Sequence, residues 1–418
     1  MMESHARKWQ TMAENAVRIL ETVHAARNRD GVPADRTLAK ICRSDRRFGS
    51  RDRQFFHLAV FAFYRWSGWL RHLPGNDLRT QLAAALLLES PDPMPPAGAF
   101  LAQNCFPGTD LAGCTTPEMR FKALCGLDMT DTDLVPLWAS QALAEGAERG
   151  FLPFLRTRSP LWVRVVPGAE AQAEAEWINA GLVFERHKTI TNAYRFPNDR
   201  IRFDSMKLWK DGLMEMQDLS SQCIGLAADV RPGEHWFDPC AGGGGKTLQL
   251  ASLLRSSGSV TVHDIRSFKL DVLQERAGRT PFGSLIRRTE QFVPGTLFDG
   301  VLLDAPCSSS GRWRRDPDSR WLHTESPLPE ITALQYDLLC KAAKSVKPGG
   351  KLIYGTCSVF AAENKELAQR FLSEHDKEFE PMLFTCPFTG RSVSMLQTFP
   401  GDGDCDGSFA AAFRRKNR

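Results

Sequence analysis

Two cysteines lie where reactive groups are expected in this 418-residue chain. Cys307 follows the apolar run "FDGVLLD", which ends in Asp304, and Cys357 follows a second apolar run, "KLIYGT". Both runs predict strands of a parallel sheet, and the carboxyl ends of such strands face the ligand crevice. A single cysteine is more often a small buried hydrophobe. Two cysteines at the same functional edge instead indicate a pair of thiols available for chemistry.

A glycine loop precedes both cysteines. The stretch "DPCAGGGGKT", residues 238–247, follows an apolar strand pattern and opens a helical one. Glycines let the backbone adopt positive φ and approach a ligand closely, and the first turn of a helix offers free N–H groups. Asp264 ends the next predicted strand, where an acid usually bonds the hydroxyls of a ribose. The loop alone fits an ordinary tight turn equally well, but with Asp264 the pattern favours an adenosine-containing ligand.

The spacing of the glycines narrows the choice of ligand. A phosphate-binding P-loop requires glycine where this chain has Cys240, so a P-loop ATPase is disfavoured. The dinucleotide fingerprint G-x-G-x-x-G is not cleanly matched either, which disfavours NAD. S-adenosylmethionine shares the ribose-binding geometry of the dinucleotides and has no pyrophosphate, and it is therefore the predicted cofactor.

Cytosine methylation is a reaction that uses this cofactor together with a thiol and a carboxyl group. Carbon-5 of cytosine is too weak a nucleophile to attack a methyl sulfonium directly, but a thiolate that adds at carbon-6 turns the ring into a reactive enamine. A carboxyl group near N3 would stabilise that adduct, and a second polar group would assist loss of the carbon-5 proton and release of the thiol. The base must be unstacked from its RNA to be reached.

Three regions are expected to position these groups. Residues 1–150 show helical periodicity and predict an all-α domain, residues 151–213 predict a small α+β module, and residues 214–418 alternate strands and helices. The last pattern predicts an α/β domain with a mostly parallel sheet. Its predicted strands are 235–238, 260–265, 285–288, 300–304 and 351–355, with "MLQTFP" and "SFAAAFRR" as a closing antiparallel pair.

Composition excludes several classes of protein. The eleven cysteines include no C-x-x-C pair, which argues against a disulfide framework and against a zinc site. No apolar run is long enough to cross a membrane and no secretory signal is recognisable, so we expect a cytoplasmic protein. We also expect a monomer. The first 80 residues carry 15 Lys and Arg against 8 Asp and Glu. That excess suits a phosphate backbone, although an ordinary solvated helical surface fits equally well.

The motifs together resemble a known family. "DPCAGGGGKT", "DAPCSSSG", "GTCSVFAAEN" and the upstream "DGLMEMQDLSSQ" resemble the RNA cytosine-C5 methyltransferases, and most closely their bacterial Sun/RsmB branch, which modifies small-subunit ribosomal RNA. The resemblance implies a Rossmann-like class I methyltransferase domain with a seven-stranded sheet. It also implies that "ADRTLAKICRSDRRFGSRDRQFFHLAVFAFYRW" belongs to a NusB-like RNA-binding domain.

The resemblance assigns roles to individual residues. It implies that Cys357 is the nucleophile, that Cys307 assists product release, and that Asp304 contacts the base near the methyl donor, with Lys246 beside it. The residues implied to hold S-adenosylmethionine are Cys240, Ala241, Gly242, Gly243, Gly244, Gly245, Lys246, Asp264 and Asp304.

The chain departs from the family pattern at two places near the cofactor. The family usually has Ala-Pro where this chain has Gly242 and Gly243, which should loosen the turn but keep its backbone donors. An aspartate normally faces the adenine after the third strand, and here only Thr289 or Glu290 stands nearby. Residues 90–130 match nothing in the family.

The loop "GRWRRDPDSRW" after Cys307 is a candidate RNA contact. Arg312, Arg314 and Arg315 could grip phosphates beside two tryptophans, and an ordinary solvated loop is the alternative interpretation. For the whole chain, the alternatives are a non-catalytic RNA-binding or ribosome-assembly factor that retains the fold, and a methyltransferase that acts on transfer RNA.

Overall fold

The computed structural model describes residues 2–75, 77–89, 93–197, 201–292 and 295–417, with side chains from Ala6 onward. The chain divides into two compact units, and each unit is assembled from three segments that are not consecutive in the sequence. The helical unit comprises Met1–Gln141, Leu152–Arg158 and Trp313–Ser326, and the α/β unit comprises Ala142–Phe151, Ser159–Arg312 and Pro327–Arg418. Within the described ranges, no helix has the length and apolarity needed to span a membrane.

The helical unit is built around one strongly apolar helix. Its helices are α1 (Met2–Asp30), α2 (Ala34–Ser44), α3 (Ser50–Leu70), α4 (Leu78–Glu89), α5 (Pro96–Cys105), α6 (Pro117–Cys125) and α7 (Leu137–Ser140). Helix α3 contributes Phe56, Trp66 and Trp69, which are almost completely buried. A Cβ on Gly68 would lie 1.9 Å from the carbonyl oxygen of Asp133, so a glycine is required there for close packing. The all-α prediction is confirmed, and the NusB-like assignment stays a prediction.

The segment Trp313–Ser326 is an integral part of the helical unit. Arg320 is fully buried and donates to the carbonyl oxygens of Arg65 at 3.1 Å, Leu155 at 3.0 Å and Trp313 at 2.8 Å. The carboxylate of Asp318 accepts from the backbone N–H of Ala34 at 3.1 Å. These bonds satisfy groups that would otherwise be costly to bury, so the segment is anchored on the helices.

The α/β unit begins with a small antiparallel sheet. After α8 (Ala147–Gly150), its elements are β1 (Leu161–Val165), α9 (Glu170–Asn179), β2 (Glu185–Arg186), β3 (Ala193–Phe196), α10 (Lys207–Lys210) and β4 (Met214–Met216), in the strand order β2-β3-β1-β4. Residues 214–216 were predicted to open the methyltransferase domain. They instead complete the small sheet, because β4 pairs antiparallel with β1.

The larger sheet has eight strands. Its elements and those around it are α11 (Leu219–Ala227), β5 (His235–Asp238), α12 (Gly245–Leu253), β6 (Ser259–Val262), α13 (Ser267–Gly278), β7 (Ile286–Arg288), β8 (Phe298–Asp304), α14 (Leu328–Ala343), β9 (Val346–Thr356), α15 (Lys365–Glu374), β10 (Phe379–Pro381), β11 (Phe384–Thr385), β12 (Ser392–Val393), β13 (Met395–Thr398), α16 (Pro400–Gly403) and β14 (Ser408–Arg415).

The strand order of this sheet is β10-β14-β9-β8-β5-β6-β7, with β13 also paired to β14. The five neighbouring strands β9, β8, β5, β6 and β7 are mutually parallel, and β14 runs antiparallel to β9. The mostly parallel sheet and the closing antiparallel pair β13–β14 are therefore as predicted. The sheet has eight strands rather than the predicted seven because β10 and β13 pair with different parts of β14.

Both faces of this sheet are buried, so its chemistry is confined to strand ends. Trp236 and Leu302 belong to one core cluster, whereas Phe237, Val301 and Leu303 belong to the other. Strands buried on two sides are expected to form near-continuous apolar runs. The chain winds outward in opposite directions from β5 and β8, and the crevice at their carboxyl ends is where ligands bind in such sheets.

Candidate active site

The two predicted cysteines lie together at the carboxyl ends of β8 and β9. These strands are parallel neighbours, with Asp304 opposite Gly355. The Sγ atoms of Cys307 and Cys357 are 3.2 Å apart. Both are free thiols and partly exposed. The structure thus brings the two sulfur atoms into direct contact at the sheet edge.

The two thiols differ in proton affinity. The hydrogen bond from Cys307 lowers the pKa of Cys357, although burial opposes this shift, and nearby Ser309 and Lys246 lower it further. The same hydrogen bond, together with burial, raises the pKa of Cys307. Cys357 is therefore the thiol that ionises first, and its thiolate would accept a hydrogen bond from the Cys307 thiol. A thiolate is the nucleophilic form of cysteine.

Ser309 lies beside this pair in an unusual backbone conformation. Its φ is +56°, which few residues other than glycine adopt. Its Oγ lies 3.5 Å from Sγ of Cys357, within reach of the sulfur. Strained residues of this kind concentrate at functional sites.

Lys246 and Asp304 form an ion pair at the same edge. Nζ of Lys246 lies 2.8 Å from Oδ2 of Asp304, and the two side chains are 12% and 33% exposed. Burial alone would lower the pKa of Lys246, but attraction and hydrogen bonding to Asp304 outweigh it, so the pKa is raised. The ammonium group therefore stays charged and oriented toward Asp304.

The glycine loop is folded around backbone donors. Gly242 and Gly244 have φ of +51° and +87°, and the N–H of Ala241 donates to the carbonyl of His263 at 3.0 Å. The N–H of Gly242 donates to Oδ2 of Asp264 at 2.9 Å. The loop after β5 and the acid after β6 are thus joined directly, as the pattern required.

The geometry fits an adenosine-containing cofactor. A Cβ on Gly242 or Gly245 would meet nothing within 4 Å, so open space lies against the loop. The side chain of Asp264 is only 3% exposed and pairs with Arg266, whose side chain is 54% exposed. Displacing Arg266, an exposed partner, costs little free energy. The freed carboxylate oxygens could then accept hydrogen bonds from the ribose hydroxyls.

Arg276 braces the loop from α13, and sequence reasoning missed it. Its guanidinium donates to the carbonyl oxygen of Gly243 and to Glu215 at 2.6 Å. Glu215 lies on β4 opposite Arg164 of β1, so the small sheet is tied to the glycine loop.

Glu363, beneath the two cysteines, was also missed. Neither residue carried a distinctive spacing in the sequence.

The structure separates the three arginines predicted to bind RNA. Arg314 is 4% exposed and donates to Oγ1 of Thr157 at 3.0 Å and to the carbonyl of Arg158 at 2.6 Å. Its predicted RNA contact is therefore wrong in this conformation, because the guanidinium is used inside the helical unit. Arg312 is exposed and Arg315 is partly exposed, and their RNA contacts stay predictions.

The candidates for the adenine contact lie after β7. The carbonyl of Thr289 is 3.3 Å from Nδ1 of His263, which places Thr289 beside the end of β6. Glu290 is exposed and pairs with Arg288 at 2.9 Å. The choice between Thr289 and Glu290 stays open.

The sheet order and the glycine loop define a Rossmann-like class I methyltransferase domain. Residues 226–414 match the family described as 16S rRNA methyltransferase RsmB/F. This domain, a little under half of the chain, therefore matches the RsmB/F family, as the motifs predicted. The cofactor of the domain is S-adenosyl-L-methionine, which brings a methyl group on a sulfonium.

Relatives with curated names agree with this assignment. The chain is 36% identical over 217 residues to "Probable ribosomal RNA small subunit methyltransferase B" of Synechocystis sp., covering 49% of this chain and 48% of that protein. It is 32% identical over 273 residues to "Ribosomal RNA small subunit methyltransferase B" of Cronobacter sakazakii, covering 62% and 60%. The chain thus spans about half to three fifths of the length of these relatives.

Solved structures share the fold. The crystal structure of PH0851 superposes with a TM-score of 0.73 at 21% identity and covers 95% of this chain and 98% of that one. A methyltransferase homolog from Pyrococcus horikoshii gives a TM-score of 0.54 at 24% identity, covering 66% and 94%.

Proposed function

We propose that this chain is an S-adenosylmethionine-dependent RNA methyltransferase that modifies carbon-5 of cytosine in small-subunit ribosomal RNA. The observation that carries the proposal is the contact between Cys307 and Cys357, whose sulfur atoms are 3.2 Å apart. Their opposite pKa shifts supply a nucleophile and a proton-bearing partner in one site. The names of the curated relatives support ribosomal RNA as the substrate.

The first proposed step is attack by Cys357. Its thiolate forms a bond to carbon-6 of the cytosine, and the electron pair of the C5=C6 bond becomes available at carbon-5 and on the ring. Negative charge therefore develops on the ring atoms. The Lys246–Asp304 pair lies in the same crevice, and the positive charge of Lys246 would stabilise this developing negative charge.

The second step needs the cofactor beside carbon-5. Asp264 and the backbone of residues 240–245 would hold it, and Lys246 would keep Asp304 oriented toward the base. The electron pair at carbon-5 would form a bond to the methyl carbon as the bond from that carbon to the sulfonium breaks, which would leave S-adenosylhomocysteine. This requires the two carbons to approach within contact distance.

The last step is release, in which Cys307 is the candidate base. Once Cys357 is bonded to carbon-6, it carries no charge, and its hydrogen bond and charge no longer raise the pKa of Cys307, although burial and Glu363 still do. Cys307, which is partly exposed, then loses its proton to solvent more readily, and its thiolate takes the carbon-5 proton. The electron pair of the C5–H bond re-forms C5=C6, and the C6–S bond breaks to return the Cys357 thiolate.

Methyl transfer to ribosomal RNA from unmethylated small subunits tests the proposal, with 5-methylcytosine measured by mass spectrometry. Cys357→Ala should abolish the product, because no adduct can form. Cys307→Ala should instead accumulate a covalent protein–RNA adduct that survives denaturing electrophoresis. Cys340→Ala, which alters a partly exposed cysteine on α14, is the matched control and should behave as the wild type.

Three results would contradict parts of this proposal. Continued formation of 5-methylcytosine by Cys357→Ala would remove the covalent mechanism. Methylation of transfer RNA alone would replace the substrate. RNA binding without methyl transfer to any RNA, by a chain that binds S-adenosylhomocysteine, would favour the non-catalytic assembly factor.

A further inference from the structure

A buried carboxylate lies beneath the two cysteines. Glu363 follows β9 and is completely buried. One of its oxygens accepts from the backbone N–H of Ser308 at 2.9 Å and from Nε2 of Gln335 at 2.9 Å. The other accepts from Oγ of Ser308 at 2.5 Å and from Oγ of Ser358. Four donors thus converge on one carboxylate, which compensates for the cost of burying it.

Two of the residues that donate to Glu363 are neighbours of the cysteines in the sequence. Ser308 directly follows Cys307 in the chain, and Ser358 directly follows Cys357. Glu363 is therefore bonded to the residue after each cysteine and links the ends of β8 and β9. A second link reinforces it, because the hydroxyls of Ser310 and Ser358 lie 3.1 Å apart.

We infer that Glu363 is a positioning residue for the proposed methyl transfer: its carboxylate holds the chain after each cysteine, so that the two sulfur atoms stay in contact with distinct roles. The inference rests on the proposed function for its role in turnover. The geometric part, a fixed pair of unequal thiols, holds for the free protein and can be measured without RNA.

Nearby charges as well as hydrogen bonds make the pKa values of the two thiols differ. The hydrogen bond to Cys357 and burial raise the pKa of Cys307 most, and the negative charge of Glu363 raises it further. The charged groups that act on Cys357 are Asp304, which opposes the thiolate, and Lys246, which favours it. Glu363 thus helps to keep the proton on Cys307 and the thiolate on Cys357.

The substitution Glu363→Gln tests this inference because it keeps the shape and removes the charge. A glutamine amide has only one acceptor oxygen, so it cannot accept from both serine hydroxyls and from the amide donors. We expect kcat for methyl transfer to fall on the order of 10- to 100-fold, whereas KM for RNA and for S-adenosylmethionine should stay within about twofold because Glu363 contacts neither.

Alkylation by iodoacetamide gives the second readout. In the wild type, label at neutral pH should go to Cys357 in preference to Cys307, and the pH at which Cys357 is half reactive should lie below that of an ordinary thiol. In Glu363→Gln, this preference should shrink because Cys307 loses a negative neighbour. Glu366→Gln, which changes an exposed acid three residues later, is the matched control and should leave both readouts unchanged.

A milder variant covers the case in which Glu363→Gln fails to fold. Ser308→Ala removes one hydroxyl donor and leaves the carboxylate in place, and it should narrow the labelling preference in the same direction. The inference is overturned if these variants keep the wild-type labelling ratio, pH profile and kcat. If the wild-type protein methylates no RNA but its labelling preference depends on Glu363, the proposed function fails and the positioning role stands.

Discussion

Gly244 provides the sharpest test of how the cofactor loop is built. Its φ is +87°, and a Cβ added there would lie 2.6 Å from Cγ of Leu273. Leu273 is 2% exposed and belongs to the core, so it cannot move freely. Gly244→Ala therefore combines a left-handed backbone with overpacking at one position.

The expected cost follows from these two contributions. A left-handed conformation costs an L-residue about 1–2 kcal/mol, and overpacking a filled core costs about 1–3 kcal/mol. Together they predict a loss of about 2–5 kcal/mol. For a domain of this size, such a loss corresponds to a fall in Tm of about 4–20 °C.

Two neighbouring glycines serve as controls for Gly244→Ala. Gly245 lacks a positive φ and has open space around its Cβ position, so Gly245→Ala should be stable within about 0.5 kcal/mol. Gly242 has φ of +51° and open space; Gly242→Ala should cost about 1–2 kcal/mol for its backbone but should weaken cofactor binding by occupying the space beside the loop.

The assay is thermal unfolding followed by calorimetric titration with S-adenosylhomocysteine. The order of stability should be Gly245→Ala, then Gly242→Ala, then Gly244→Ala. If Gly244→Ala unfolds within 1 °C of Gly245→Ala and binds S-adenosylhomocysteine as tightly as the wild type, this account of the loop is refuted.

Further predictions concern three charged groups. Burial raises the pKa of Asp238 to about 7, so its contribution to stability should be present at low pH and lost as pH rises from about 4 through about 7; Asp238→Asn should flatten that slope in denaturation measured across this range. Glu89→Ala would leave Arg65, 4% exposed, without its ion partner, and should cost about 3–5 kcal/mol of unfolding free energy; an unchanged Tm would contradict this. Lys246→Met should slow methyl transfer on the order of 10²-fold in single-turnover assays with little change in Tm, and full activity would exclude a role for its pair with Asp304.

Much of the α/β unit was predictable because its signals are local. Strand β5 was predicted at its observed residues, and β6, β7 and β8 differ from their predictions only at the ends. Buried parallel strands give continuous apolar runs. The four candidate side chains in the crevice lie at or shortly after the end of such a strand, as Asp304, Cys307 and Cys357 do, or shortly after the glycine loop, as Lys246 does. Proximity at one sheet edge then follows from topology.

What escaped prediction depends on contacts between residues distant in sequence. Arg314 lies in a loop with the composition of an RNA-binding segment, but its guanidinium donates hydrogen bonds to Thr157 and Arg158, more than 150 positions earlier. Glu363 follows Cys357 closely, but its bond to Ser308 spans 55 positions. Single-sequence patterns carry no information about such partners, and the place of β4 in the small sheet was missed for the same reason.

The position of the segment Trp313–Ser326 in the sequence affects when the helical unit can finish folding during synthesis. The helical unit contains the N-terminal residues, which leave the ribosome first, and domains generally fold in that order. This unit, however, includes Trp313 and Arg320, which are 2% and 0% exposed in the folded chain. Its packing is therefore completed only after residue 326 of 418 has been translated. A shortened chain that starts at Ser159 would expose Trp313 and leave the Arg320 guanidinium without the carbonyls of Arg65 and Leu155.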